Sequence, residues 1–141
     1  MCEYDEDRRE VIRVKASTLD GIIDLDQLCG TLVAKIDTQG SEAHVLKGGV
    51  ETLSRAEVII TEFWPYGLAR MGADLEFMYG FLRKNFRYGA IVWVGDETQA
   101  PDFRDIGTVV DSLRGLGNID KARHCDLIVC KVLPRRSQGL G

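Results

Sequence analysis

Apolar and polar positions along the chain alternate between two periods. In Val11-Ile-Arg-Val-Lys15, Ile12 and Val14 alternate with Arg13 and Lys15, which predicts a half-exposed strand. Thr18 then stands as an N-cap before Leu19, Ile22 and Ile23, which share one helical face, predicting a short helix. Thr31–Asp37 is a near-continuous apolar run, the pattern of a strand buried on both faces. It ends in the turn Asp37-Thr-Gln-Gly40, after which Ser41 caps a helix with Ala43, Leu46, Val50 and Leu53 on one stripe. Gly48 and Gly49 fall inside that helix, where each costs about 1 kcal/mol relative to alanine, so a close helix–sheet approach is expected there.

Val58–Phe63 predicts a second buried strand, broken by a loop at Trp64-Pro-Tyr-Gly67. Asp74 precedes a helix to about Asn85, with Leu75, Met78, Phe81 and Leu82 on its apolar side. Ala90–Val94 predicts a third strand, followed by a polar loop to about Asp105. Ile106, Val109, Val110 and Leu113 follow the i, i+3, i+4, i+7 rule, and Gly115 and Gly117 end that helix. Asp126–Val132 is the last strand, stopped by Pro134. Strands alternating with helices argue an α/β domain with a largely parallel sheet over residues 11–134, flanked by a disordered tail at 1–10 and a flexible tail at 135–141.

Composition narrows the function classes. A chain of 141 residues, 45% apolar and 28% charged, is an ordinary globular domain with room for one core. Its 18 basic and 22 acidic residues leave a net charge of -4, so it lacks the basic footprint that nucleic acid requires. The first ten residues are charged and carry no apolar signal segment, and no apolar run approaches membrane-spanning length. A cytoplasmic location with reduced thiols is therefore expected, and no partner at a membrane. Cys2, Cys29, Cys125 and Cys130 form no CxxC, and His44 and His124 lack ligand spacing, so no metal is expected. His124 reads as a loop residue.

Ligands of open α/β sheets bind outside the carboxyl ends of the strands. Two predicted strands carry acids at that edge, Asp37 and Glu62. If the strands are neighbours, both acids face one crevice, where a carboxylate orients or deprotonates a hydroxyl. Gln39 and Glu42 follow the first strand, and Trp64 and Tyr66 follow the second as flat walls for a substrate. Each also has a plainer reading. The helix dipole alone explains Glu42 in a first turn, and Asp37 and Gly40 serve simply to make a turn. Lys35, inside an apolar strand, is expected to pair with Glu62.

The stretch Lys35-Ile-Asp-Thr-Gln-Gly-Ser-Glu-Ala-His-Val-Leu-Lys-Gly48 resembles the signature of the FkbM-type S-adenosylmethionine-dependent methyltransferases: Lys-Ile-Asp, then Gly40, Glu42 and Val45-Leu-Lys-Gly48. Thr18-Leu-Asp20 is similar to the motif that precedes this signature, and Val58–Glu62 to the strand that follows it, so the likeness covers about residues 11–94. The resemblance implies part of a class I methyltransferase, Rossmann-like sheet, mostly parallel, with Thr31–Asp37 and Val58–Phe63 as its fourth and fifth strands and the late strands as a terminal antiparallel pair. It implies methyl transfer from S-adenosylmethionine to a small hydroxylated substrate. Asp37 and Glu62 are then the catalytic residues, Asp37 nearest the reacting hydroxyl and in edge contact with the cofactor. Gln39, Glu42, Trp64 and Tyr66 are the substrate-binding residues. The family's glycine-rich cofactor turn belongs ahead of Thr18, where no glycine occurs. The resemblance therefore implies the C-terminal half of a truncated enzyme, binding cofactor weakly. The alternative expectation is a non-catalytic remnant that binds a partner or itself through an exposed sheet edge.

Overall fold

The computed structural model describes residues 11–93, 95, 100–116 and 121–134. The expected tails at 1–10 and 135–141 lie outside the described residues, as do Val94 and Gly117. In chain order the elements are α1 (Leu19–Ile22), a 3-10 turn (Leu25–Gln27), β1 (Val33–Ile36), α2 (Glu42–Gly48), α3 (Val50–Ser54), β2 (Val58–Phe63), α4 (Pro65–Arg70), α5 (Leu75–Asn85), β3 (Tyr88–Trp93), β4 (Arg104–Asp105), α6 (Ile106–Arg114) and β5 (Cys125–Cys130).

The strands form one mixed sheet in the order β1-β2-β5-β3-β4. Only β1 and β2 pair in parallel. The pairs β2–β5, β5–β3 and β3–β4 are antiparallel. The expectation of a mostly parallel sheet is thus corrected. The cause is the insertion of β5 between β2 and β3. Both of those run the same way, but the intruding strand turns one would-be parallel contact into two antiparallel ones. The two late strands do pair antiparallel, in register from Tyr88↔Cys130 to Trp93↔Cys125.

Burial on both faces is also corrected. Along β2, Ile59, Thr61 and Phe63 are buried, whereas Val58, Ile60 and Glu62 are half-buried. Along β5, Cys125, Leu127 and Val129 are buried while Asp126 is exposed. One face therefore packs on the core and the other is more open, the usual state of sheets with antiparallel pairing. The core joins Leu46 of α2, Met78 and Leu82 of α5, Val110 and Leu113 of α6, and Ile59, Leu127 and Val129 of the sheet, all with essentially no exposure.

Asp74 caps α5 through its carboxylate to Phe77 N–H, and Thr18 caps α1 through its hydroxyl to Gly21 N–H, as their sequence positions predict. Three expectations fail. Residues 11–17 form no strand and are exposed, Val11 by 90% and Ile12 by 78%, because among the described residues no strand lies alongside to take up their backbone hydrogen bonds. The 64–67 segment is not a loop. Pro65 is the first residue of α4, where its missing N–H costs nothing. The long helix from Ser41 divides at Gly48-Gly49 into α2 and α3.

That division explains the glycine pair. A Cβ on Gly49 would lie 2.9 Å from Leu19 Cδ2, and one on Gly48 would lie 3.6 Å from Thr18. The close approach is to α1, not to the sheet. From α1, Asp20 reaches the N-terminus of α3, accepting hydrogen bonds from Glu51 N–H (3.0 Å) and Thr52 N–H (2.8 Å). Thr18-Leu-Asp20 is thus a clasp. Leu19 lies on Gly49, and Asp20 supplies α3 with a cap that its own Gly49 lacks.

Desolvation pushes the Asp20 carboxyl up, but the hydrogen bonds from Thr52 and Glu51 together outweigh it and hold the group below the usual carboxylate range. A depressed folded pKa means the clasp contributes stability above the unfolded value, near pH 4, and loses it as pH falls through the folded value. We expect Asp20→Ala to cost about 1 kcal/mol at neutral pH, as a lost cap does. In urea titrations the deficit relative to the parent should shrink toward zero in strong acid. A deficit constant with pH would assign Asp20 a packing role instead.

Candidate active site

The parallel pairing Ile36↔Thr61 brings the carboxyl ends of β1 and β2 side by side. Asp37 and Glu62 therefore stand side by side at that edge, toward the more open face of the sheet. The Gln39 amide bridges them, donating to Asp37 Oδ1 (3.3 Å) and Glu62 Oε2 (3.4 Å). Gln39 sits in the left-handed region, with φ 54°, and Gly40 follows with φ 104°. Non-glycine residues adopt such a conformation rarely, and functional sites collect them. The bridge is one contact that holds Gln39 there.

Glu42 lies elsewhere. It is fully buried beneath the 37–40 loop. Its Oε1 accepts from Thr38 N–H (2.9 Å) and Thr38 hydroxyl (3.1 Å), and its Oε2 accepts from Gly40 N–H (3.0 Å). The carboxylate thereby supports the loop that carries Asp37 and Gln39. Lys35 pairs with Asp37 (3.6 Å), both side chains exposed, in place of the expected Glu62 pair. Strand alternation had placed Lys35 and Asp37 on one side, and proximity along that edge decides the partner.

Trp64 and Tyr66 stand at the mouth of the same edge, their ring centroids 5.7 Å apart. Trp64 donates from its indole to the Lys121 carbonyl (2.7 Å), and the Lys121 ammonium lies 5.3 Å from the Tyr66 ring centroid. The Arg123 guanidinium sits 4.6 Å from the Trp93 ring centroid. The segment leading into β5 is therefore pinned beside this edge by three aromatic residues. It delivers two groups that motif reading passes over. His124 places Nε2 3.9 Å from Glu62 Oε1, and Asp126 is the register partner of Glu62. Their partners are about 60 positions away in sequence, and only the antiparallel pairing of β5 on β2 brings them together.

Glu62 is the electrostatic centre. Its side chain is only 13% exposed. Desolvation pushes its carboxyl up, His124 pulls it down, and the charges of Glu42, Asp37 and Asp126 push it up again, for a net rise above the usual range. A carboxyl so placed releases its proton late and takes one back readily, as a proton-transferring group must. A raised folded pKa contributes stability below the unfolded value and loses it as pH rises through the folded one. Glu62→Gln should therefore raise the melting temperature at pH 7 and leave it unchanged below about pH 4, where both states are protonated. A variant less stable at pH 7 would mean that the carboxylate is held by favourable contacts.

With this geometry in place, the comparison with known families is decisive. A model of the methyltransferase FkbM domain matches residues 3–88. The chain belongs to the FkbM methyltransferase family. The match includes α1, β1, α2 and β2, and with them Asp37, Gln39, Glu42, Glu62, Trp64 and Tyr66. No curated protein and no solved structure matches significantly. No helix among the described residues is long and apolar enough to cross a membrane, and no group of metal-ligating side chains occurs among them.

The family implies S-adenosylmethionine as cofactor. The crevice gathers carboxylates that suit a positively charged sulfonium. Among the described residues ahead of β1 there is no strand followed by a glycine turn and helix, the device that cradles a nucleotide-like ligand.

Proposed function

We propose that this FkbM-family chain provides the acceptor side of an S-adenosylmethionine-dependent O-methyltransferase, acting on a small hydroxylated substrate, on a class I, Rossmann-like scaffold. The observation that carries the reading is the Gln39 amide joining Asp37 and Glu62 at the carboxyl edge of β1 and β2, inside the matched residues. When bound, S-adenosylmethionine supplies an electrophilic methyl group. The work of the chain is to hold the hydroxyl in line and relieve it of its proton.

In this reading Asp37, half exposed at the strand end, lies nearest the reacting hydroxyl and orients the acceptor. Gln39 keeps Asp37 and Glu62 from turning away. Glu62, whose carboxyl is pushed up by desolvation and by the neighbouring acids, faces the same acceptor. Glu42 acts through the loop, and Trp64 and Tyr66 wall the crevice while pinning the segment before β5.

The test is methyl incorporation from labelled S-adenosylmethionine into a panel of sugars and polyols. Asp37→Asn should reduce transfer about 100-fold, the usual contribution of a positioned acid–base group. Absence of transfer to every acceptor, or transfer untouched by Asp37→Asn, rejects the proposal.

One observation favours a second reading, self-association. β1 is a terminal strand of the sheet, and Val33 on it is 56% exposed. Beside it runs an apolar groove of about 470 Å³ lined by Leu19, Ile23, Leu32, Ala34 and Val45, among others. Exposed apolar edges invite pairing with another chain. A dimer by light scattering that Val33→Lys dissolves supports this reading, and a monodisperse parent monomer rejects it.

A further inference from the structure

We infer that His124 and Glu62 form a proton-accepting pair, with His124 Nε2 the atom that receives the acceptor hydroxyl's proton. The inference rests on the methyl-transfer reading for the identity of that hydroxyl, and on the local geometry for everything else.

His124 Nδ1 lies 2.9 Å from the Ala122 carbonyl oxygen. A carbonyl only accepts, so Nδ1 must carry the proton. In the neutral ring this leaves the lone pair on Nε2. That nitrogen faces Glu62 Oε1 at 3.9 Å, too far for a direct hydrogen bond. The two acceptor atoms are instead spaced so that a single hydroxyl oxygen can sit within hydrogen-bond reach of both. The imidazole is not free to wander. Its segment is held by Trp64 on the Lys121 carbonyl, by Lys121 over Tyr66 and by Arg123 over Trp93.

The chemistry balances. The hydroxyl oxygen forms a bond to the methyl carbon of a sulfonium donor, and the carbon–sulfur bond breaks with its electron pair going to sulfur. The O–H proton passes to Nε2, leaving an ether, a neutral thioether and an imidazolium. Glu62 faces that imidazolium and stabilises it. The other charged groups around Glu62 are Asp37 at the end of β1, Glu42 of α2 and Asp126 of β5, all acidic. Lys121 and Arg123 flank the histidine but are turned onto Tyr66 and Trp93.

Nitrogen-15 NMR of the full chain tests this without any methyl acceptor. With the ring neutral, Nδ1 of His124 should resonate as the protonated, pyrrole-type nitrogen and Nε2 as the bare, pyridine-type one. The opposite tautomer, the ordinary one in water, overturns the proposal. The second measurement is the Glu62 carboxyl titration in parent and His124→Asn. Asparagine keeps a donor for the Ala122 carbonyl but removes Nε2 and the cation, so Glu62 should titrate higher in the variant. An unchanged Glu62 titration in a variant whose circular dichroism is native also overturns the pair. Calorimetric titration with S-adenosylmethionine separates the two ideas. Lack of cofactor binding, with the NMR results as expected, removes the methyl-transfer reading and leaves the pair.

Discussion

Gly40→Ala is expected to destabilise the chain by about 3 kcal/mol or more, a large part of the 5–15 kcal/mol that holds a typical domain together. Two costs add. The backbone at Gly40 has φ 104°, which an L side chain tolerates only with strain of about 1–3 kcal/mol. A Cβ there would also lie 2.6 Å from the carbonyl carbon and oxygen of Gly67, and backbone cannot swing aside as a side chain can. Overpacking of this kind costs about 1–3 kcal/mol by itself. Gly67 in turn cannot retreat, because its own α-carbon is covered by the Trp64 ring, which a Cβ would approach to 2.2 Å. The 37–40 loop and the first turn of α4 therefore touch through a pair of glycines.

Gly72→Ala is the control, since Gly72 has φ 66° but no atom within 4 Å of a Cβ. It should show the conformational cost alone, about 1–2 kcal/mol. Denaturant unfolding of both variants measures the difference. Equal losses would mean that the Gly40–Gly67 contact is slack. Trp64 fluorescence should shift in Gly40→Ala only.

The same glycine pair shows what a sequence can convey. Gly40 reads as a turn residue, and the turn is there. That it must also clear Gly67 depends on β1 and β2 being parallel neighbours, which no local pattern states. Helices α5 and α6 were legible because their apolar spacing and their caps, Asp74 and Gly115, are local facts. β2 was legible because its run of β-branched residues ends at a proline. Residues 11–15 misled for the converse reason. Alternation says which side of a strand would be buried, but not whether a neighbour exists to bond it. Trp64-Pro-Tyr-Gly67 misled because proline and glycine mark both loops and helix starts. That Asp37, Gln39 and Glu62 lie together at one edge was legible because each ends a recognisable strand or opens the turn after it. His124 and Asp126 were not, since they reach the crevice from a strand running the other way.

Glu42→Gln should separate support of the loop from contact with substrate. Two backbone donors and the Thr38 hydroxyl converge on the Glu42 carboxylate. Glutamine has one oxygen to offer. Whichever way its amide is turned, an N–H₂ is set against Gly40 N–H or Thr38 N–H, donor against donor, at a fully buried position. A hydrogen bond to a charged acceptor contributes about 1.5–3 kcal/mol, and an unsatisfied buried donor costs about 1–3 kcal/mol. We therefore expect a loss of about 2–4 kcal/mol from a substitution that changes neither volume nor shape. The loop should loosen with it. Amide exchange at Thr38 and Gly40 should accelerate toward the rate of global opening, while exchange in α5 follows only the change in overall stability. Had Glu42 served as a substrate ligand facing the crevice, the same change would leave stability within about 0.5 kcal/mol, as exposed substitutions do, and would weaken binding alone. Full burial and convergent donors favour the first outcome. The first-turn carboxylate of α2 then stabilises the positions of Asp37 and Gln39 without touching what they bind.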